Sequence, residues 1–188
     1  CPAKLELDCG GALGIKDIER PLIMKLYEPV FRLARLSDSL PIAKLSRDLI
    51  EYGLRWRWTP ERVAASIRDP DANVLIARIG EKIAGFGIMR YGDDDAHLDL
   101  LAVASAYRRA GIGRGLVRWL EECAITAGTF KIELEVRAGN EAAQLFYRCL
   151  GYATIAHLPG YYQGVEAALR MGRDLAHRAT PQDTEPEL

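Results

Sequence analysis

Residues 101–116, LAVASAYRRAGIGRGL, pass from an apolar stretch through a turn rich in glycine and arginine into a helical pattern. A strand, a glycine turn and a helix start in that order aim several backbone N–H groups at one point. Glycine allows close approach and the helix N-terminus adds partial positive charge, so the arrangement suits a phosphate. Arg108, Arg109 and Arg114 supply full charges for further phosphates. Two familiar phosphate loops are excluded. A Walker loop ends in Gly-Lys-Ser/Thr, whereas Arg114 follows Gly113. A dinucleotide fingerprint places a third glycine where this chain has Leu116. The plainer alternative is a helix start with convenient glycines.

Outward from this loop the chain reads as alternating elements. Ile112, Leu116, Val117, Leu120 and Ala124 recur at helical spacing, and Gly128 closes that helix. Upstream, PVFRLARL (29–36) alternates like a strand, and SDS offers N-cap chemistry for a helix over 40–52, ended by Gly53. Thr59-Pro60-Glu61 starts a second helix that stops near RDPD. NVLIARI and KIAGFGIMRY flank Gly80-Glu81 as a β-hairpin, GDDD turns the chain, and 96–104 is the next strand. FKIELEV (130–136) is a strand, 140–150 a helix ended by Gly151, and YATIAHL and EAALRM are two final strands. The order β-α-α-β-β-β-α-β-α-β-β combines hairpins with two β-α-β crossovers, which predicts a mixed sheet with locally parallel pairing.

Bulk properties narrow the function. The 188 residues, 49% of them hydrophobic, suit one domain with an ordinary core. A net charge of -1 gives no general field for nucleic acid. No stretch reaches the roughly 20 apolar residues that span a bilayer, and no signal peptide is visible. The first residue is Cys1 rather than Met, so a trimmed start stays open. Cys1, Cys9, Cys123 and Cys149 form no CxxC pair and are expected to be reduced thiols of a cytoplasmic protein. Residues 1–28 are expected to be an N-terminal extension, 29–173 the domain, and 174–188 a mobile polar tail.

The loop resembles the signature of the GNAT acetyltransferase superfamily, an Arg/Gln-x-x-Gly-x-Gly/Ala turn matched by Arg108, Gly111 and Gly113. LEVRAGNEAAQLFYRCLGY (134–152) resembles the family's second block, and with GYYQGVEAALRM (160–171) it is most similar to the ribosomal-protein alanine and N-terminal acetyltransferases. The resemblance runs from Val30 to Met171. It implies a mixed α/β (α+β) fold: a mostly antiparallel twisted sheet of about seven strands, splayed in a V between the fourth and fifth and flanked by about four helices. The ligand it implies is acetyl-CoA, with no metal. The pyrophosphate is expected on the N–H groups of Arg109, Ala110, Gly111, Ile112, Gly113 and Arg114, and the pantetheine along Leu101, Ala102 and Val103. Arg108, Asn140 and Tyr147 complete the expected cofactor contacts.

Acetyl transfer needs a neutral amine, a donor for the developing oxyanion and a proton for the leaving thiolate. By resemblance Glu135 is the base, directly or through water, Tyr147 the acid and the Val103 N–H the oxyanion donor. Without it, Glu135 is one of two carboxylates on a solvated strand face and Tyr147 a core filler. Tyr161 and Tyr162 match the tyrosines that hold a substrate N-terminus; Trp56 and Trp58 stand where the family lines its acceptor groove, with packing as the alternative. His97 and Asp99 share a strand face, read as exposed alternation rather than a proton relay. The expected acceptor is a protein or peptide α-amine, against a small amine or lysine ε-amine, or a non-catalytic acyl-CoA sensor. A monomer or homodimer is expected, with no nucleic-acid or membrane partner.

Overall fold

The computed structural model describes residues 28–176. Seven strands, β1 (Val30–Leu33), β2 (Ala72–Ile79), β3 (Lys82–Tyr91), β4 (Asp95–Val103), β5 (Lys131–Arg137), β6 (Ala153–Tyr162) and β7 (Glu166–Asp174), form one sheet in the order β1-β2-β3-β4-β5-β7-β6. Every pair is antiparallel except β4–β5, which is parallel. Helices α1 (Ser39–Leu49) and α2 (Pro60–Arg68) cover one face, and α3 (Ile112–Thr126) and α4 (Glu141–Cys149) the other.

Each face has its own core. Ile42, Ala43, Trp58 and Val63 pack on Val74, Ile76, Phe86, Ile88, Leu100 and Ala102. On the opposite face Leu116, Val117, Leu120 and Ala124 pack on Leu75, Met89, Leu98, Ile132, Leu134 and Met171. β4 contributes to both because its register against β3 shifts between Ile88 and Met89, where Leu100 and Leu98 are the partners and Asp99 is the extra residue. Such a bulge reverses the alternation. Ala96 and Leu98 therefore face α3, while Leu100 and Ala102 face α1 and α2.

Several boundaries differ from the sequence reading. β1 ends at Leu33 and α1 at Leu49, short of Gly53. Asp38 does not cap α1 with its side chain. Its carboxylate instead accepts from Arg35 N (2.7 Å) and the Arg32 guanidinium (2.9 Å), a stronger charge-assisted use of the same oxygens. Thr59 does cap α2, accepting from Arg62 N. Only one of the two crossovers joins neighbours: β7 is inserted between β5 and β6, so the second crossover reaches past it. β6 runs on to Tyr162 rather than stopping near Leu158. Leu175 is fully buried and donates its N–H to Phe130, so packed chain continues past the expected edge at 173. The expected extension before Glu28, and the tail with His177, lie outside the described residues.

Gly85 on β3 sets how closely α3 approaches the sheet. A Cβ there would lie 2.9 Å from the Ala102 carbonyl oxygen and 3.3 Å from both Ile112 and Leu116. Gly85→Val is expected to cost about 1–3 kcal/mol by overpacking. A melting temperature lowered by roughly 3–10 °C would check this, and an unchanged one would show that α3 shifts freely.

Candidate active site

The site begins where β4 and β5 part. Their pairing is confined to Asp95–His97 against Lys131–Glu133. Beyond His97 β4 keeps only β3, with Gly85, Phe86 and Gly87 opposite Val103, Ala102 and Leu101. Ala104 N donates to Ala84 O, so strand alternation turns the peptide groups of Leu101 and Val103 away from β3 and into the splay. Ala102, the third residue expected along the pantetheine, turns its own towards β3. The Val103 carbonyl accepts from Arg108 Nε at 3.2 Å. An edge of this kind offers ready pairing to an amide-bearing ligand.

The loop below it holds two residues in left-handed conformation, Arg109 (φ 63) and Gly111 (φ 78). The first is costly for a side-chain-bearing residue, and such strain gathers where a ligand is held. Gly111 caps α3, and a Cβ there would meet nothing within 4 Å. Gly113 has a different reason: an added Cβ would lie 3.3 Å from the Phe146 ring and 3.6 Å from Val103. That close approach draws α3, α4 and the end of β4 together. Ala110 and Ile112 pack into the core, leaving Arg108, Arg109 and Arg114 to carry the positive charge. Open N–H groups, a helix N-terminus and guanidinium groups with no carboxylate partner among the described residues suit the phosphates of a nucleotide-like cofactor.

On the α1/α2 face, Glu135 is the centre of a charged chain. Its side chain is only 6% exposed. Oε2 accepts from His97 Nε2 at 2.8 Å and from the Tyr161 hydroxyl at 3.2 Å, and Oε1 from Arg170 Nε at 2.8 Å. His97 Nδ1 meets Asp99 at 2.9 Å, and Asp99 is held in turn by Arg90 at 2.7 Å. Burial pushes the Glu135 carboxyl up, but the hydrogen bonds and charges of His97 and then Arg170 outweigh it and hold it below the usual range. The Asp99 hydrogen bond, then that of Glu135, raises His97 to about 9 against the cost of burial. At neutral pH the imidazole is therefore a cation shared between two carboxylates.

α4 presents Tyr147 on the opposite face. Asn140 Oδ1 caps the helix through Ala143 N at 3.1 Å, and Gln144 Nε2 binds the Ala138 carbonyl at 2.8 Å. The Tyr147 ring stacks edgewise on Phe146 and Tyr152, at 5.1 and 5.6 Å between centroids. Burial, then the nearby Tyr162, raises its pKa well above that of an ordinary phenol. Its hydroxyl has no hydrogen bond among the described residues. It is a protonated donor left free for water or a ligand.

Two loops meet on the expected acceptor side. Tyr161 and Tyr162 close β6 and stack edgewise at 5.1 Å. Arg137 binds the carbonyls of Ile50 and Tyr52 and the Glu166 carboxylate, and lies 5.4 Å from the Tyr162 ring centroid. It thereby ties the α1–α2 loop to the β6–β7 turn. Trp58, 9% exposed, belongs to the core beneath α1 and α2, so its ring packs rather than lines a groove. Trp56 is half-buried and borders the surface between the loops.

Sequence reading missed Arg170 and undervalued His97 and Asp99. The His97–Asp99 pairing on one face was visible, but only the β4–β5 register brings Glu135 to it. Among the described residues no cluster of three His, Cys, Asp or Glu could hold a metal ion, and no helix is long and apolar enough to cross a membrane.

The chain is similar to several known proteins. An uncharacterized protein of Mycobacterium leprae is 38% identical over 99 residues, 50% of this chain but only 27% of the relative. The [ribosomal protein bS18]-alanine N-acetyltransferase of Escherichia coli K12 is 32% identical over 105 residues, 56% of this chain and 70% of the relative. The crystal structure of the Escherichia coli ribosomal-protein-S18-alanine N-acetyltransferase superimposes with a TM-score of 0.70 at 23% identity, covering 85% of this chain and all of that one, and so shares the fold. The model of the acetyltransferase (GNAT) family matches residues 33–152, which span both the arginine–glycine loop and α4. The chain belongs to the acetyltransferase (GNAT) family.

Proposed function

We propose that this N-acetyltransferase carries the acetyl group of acetyl-CoA to the free α-amine of a protein or peptide. The observation that carries the reading is Glu135, a buried carboxylate reached by the Tyr161 hydroxyl beside the β4–β5 splay. The [ribosomal protein bS18]-alanine N-acetyltransferase of Escherichia coli, similar over half of this chain, supports it. Acetyl-CoA supplies the activated acetyl group. The N–H groups from Arg109 to Arg114 would meet its phosphates, the open groups of Leu101 and Val103 its amide arm, and the Val103 N–H the carbonyl oxygen.

Glu135 and Tyr161 orient the amine. The carboxylate does not hold the amine's proton for long. Even at the ordinary value of 4.5, its gap from an α-ammonium near 8 is about 5 kcal/mol. Glu135 therefore attracts the ammonium and passes its proton to water. His97, already protonated, is a positioning residue that keeps Glu135 ionised. Tyr147 donates a proton to the departing thiolate.

A peptide library incubated with acetyl-CoA tests this by mass spectrometry. Acetylation is expected at free N-termini. Lysine, near 10.4, starts roughly 3 kcal/mol worse at a given pH. Modification of internal lysines that persists when the N-terminus is blocked would overturn the reading.

A further inference from the structure

Between the α1–α2 loop and the β6–β7 turn lies an open depression of about 560 Å³, lined by Arg55, Trp56, Arg57, Arg62 and Gln163. Three of these five side chains are cationic and none is a carboxylate. Among the described residues no ion pair neutralises Arg55, Arg57 or Arg62. Arg62 lies 4.2 Å from the Trp58 ring centroid, and Arg47 adds a further cation 5.2 Å from that of Trp56. The carboxylate of the α1–α2 loop itself, Glu51, is buried and already engaged. It accepts from Arg57 N at 2.6 Å, Trp58 N at 3.3 Å and Ser46 Oγ at 3.2 Å. Glu61, on the exposed start of α2, bonds Thr59. The Trp56 Nε1 is buried at the same place with no hydrogen-bond partner.

A chain of net charge -1 thus concentrates uncompensated positive charge at one rim. That rim adjoins the acceptor site, because Gln163 directly follows Tyr162, and Tyr161 binds Glu135. Charge placed beside a binding cleft selects partners of opposite sign and repels those of like sign.

We infer that the acceptor is an acidic peptide, whose α-amine lies at Glu135 while carboxylate side chains a few residues further on rest against Arg55, Arg57 and Arg62. This rests on the N-terminal acetyltransferase reading above. A small amine would not reach the depression, and a basic N-terminal segment would be repelled by it. Each exposed charge pair is worth about 2- to 5-fold, so three arginines together give roughly 10- to 100-fold.

The test uses peptides with one common first residue, followed by several Glu, Gln or Lys residues. At low salt kcat/KM is expected to be about 10- to 100-fold higher for the Glu peptide than for the Gln peptide, mainly through KM, with the Lys peptide poorer still. High salt shrinks the difference. The double variant Arg55→Glu, Arg57→Glu is expected to invert the order. Glu51 holds this loop through backbone N–H groups, so the fold survives, as an unchanged melting temperature verifies. Arg68→Ala, at the exposed end of α2, leaves the order unchanged. Equal kcat/KM for all three peptides overturns the inference. If none is acetylated, the N-terminal reading fails, and titration by tryptophan fluorescence decides the groove separately. Tighter binding of the Glu peptide, lost in the double variant, sustains the groove, and equal binding of all three overturns it.

Discussion

Tyr147→Phe is expected to lower kcat by roughly 10²–10⁴-fold, the usual scale for a lost general acid, while the protein melts within about a degree of the parent. The two halves of this expectation have separate causes. The ring contributes edgewise packing against Phe146 and Tyr152, and phenylalanine retains it. The hydroxyl makes no hydrogen bond among the described residues, so its removal strands no buried partner and costs well under 1 kcal/mol. Chemistry is another matter, because burial keeps the phenol protonated over the working pH range. Affinity for CoA should hold within a few-fold, since the proposed phosphate site is the loop at 108–114. Stopped-flow or steady-state rates alongside calorimetry with CoA separate the terms. An unchanged kcat would show that water protonates the thiolate.

The same residues show what sequence alone makes legible. Local features were readable because their causes are local. The spacing of Leu116, Leu120 and Ala124 produces α3, Thr59-Pro60 starts α2, and the left-handed turn at Gly111 needs glycine. Asn140 and Tyr147 could be placed on one helix because helical geometry links residues seven apart. The polar chain at Glu135 was not readable as a unit. Its members come from β3, β4, β5, β6 and β7, and Arg170 meets Glu135 only because β7 inserts beside β5. A crossover pattern does not say which later strand fills that place.

The bulge at Asp99 was a missed clue. The doublet Leu100-Leu101 breaks the alternation of β4, which is how His97, Asp99, Leu100 and Ala102 come to share one face. The tryptophans show the converse limit. On paper RWRW offers both tryptophans to a groove, yet Trp58 turns into the core while Arg55 and Arg57 stay outside. The backbone bonds from Arg57 and Trp58 to buried Glu51 set that orientation.

Glu135→Gln should remove most of the acetylation rate near neutral pH, by about 10²–10⁴-fold if proton transfer is what is lost, and should also alter how stability depends on pH. The substitution keeps the shape of the side chain but leaves Arg170 only the more distant Glu133, at 3.8 Å, and His97 one carboxylate instead of two. In the parent, the raised pKa of His97 contributes stability that is fully present below the unfolded value near 6.5. That stability is lost as pH rises through about 9. With Asp99 alone the folded value drops, so the variant should complete this loss at lower pH. Melting temperatures from pH 6 to 10 would show the decline shifted towards acid. The rate profile of the parent separates this structural effect from catalysis. Because Glu135 titrates below the usual carboxylate range, it stays ionised from pH 6 upward. The rise of kcat/KM with pH should therefore follow the acceptor's α-amine, near 8. Full activity of Glu135→Gln at pH 7 would remove the carboxylate from the chemistry and leave it the task of holding His97 and Arg170.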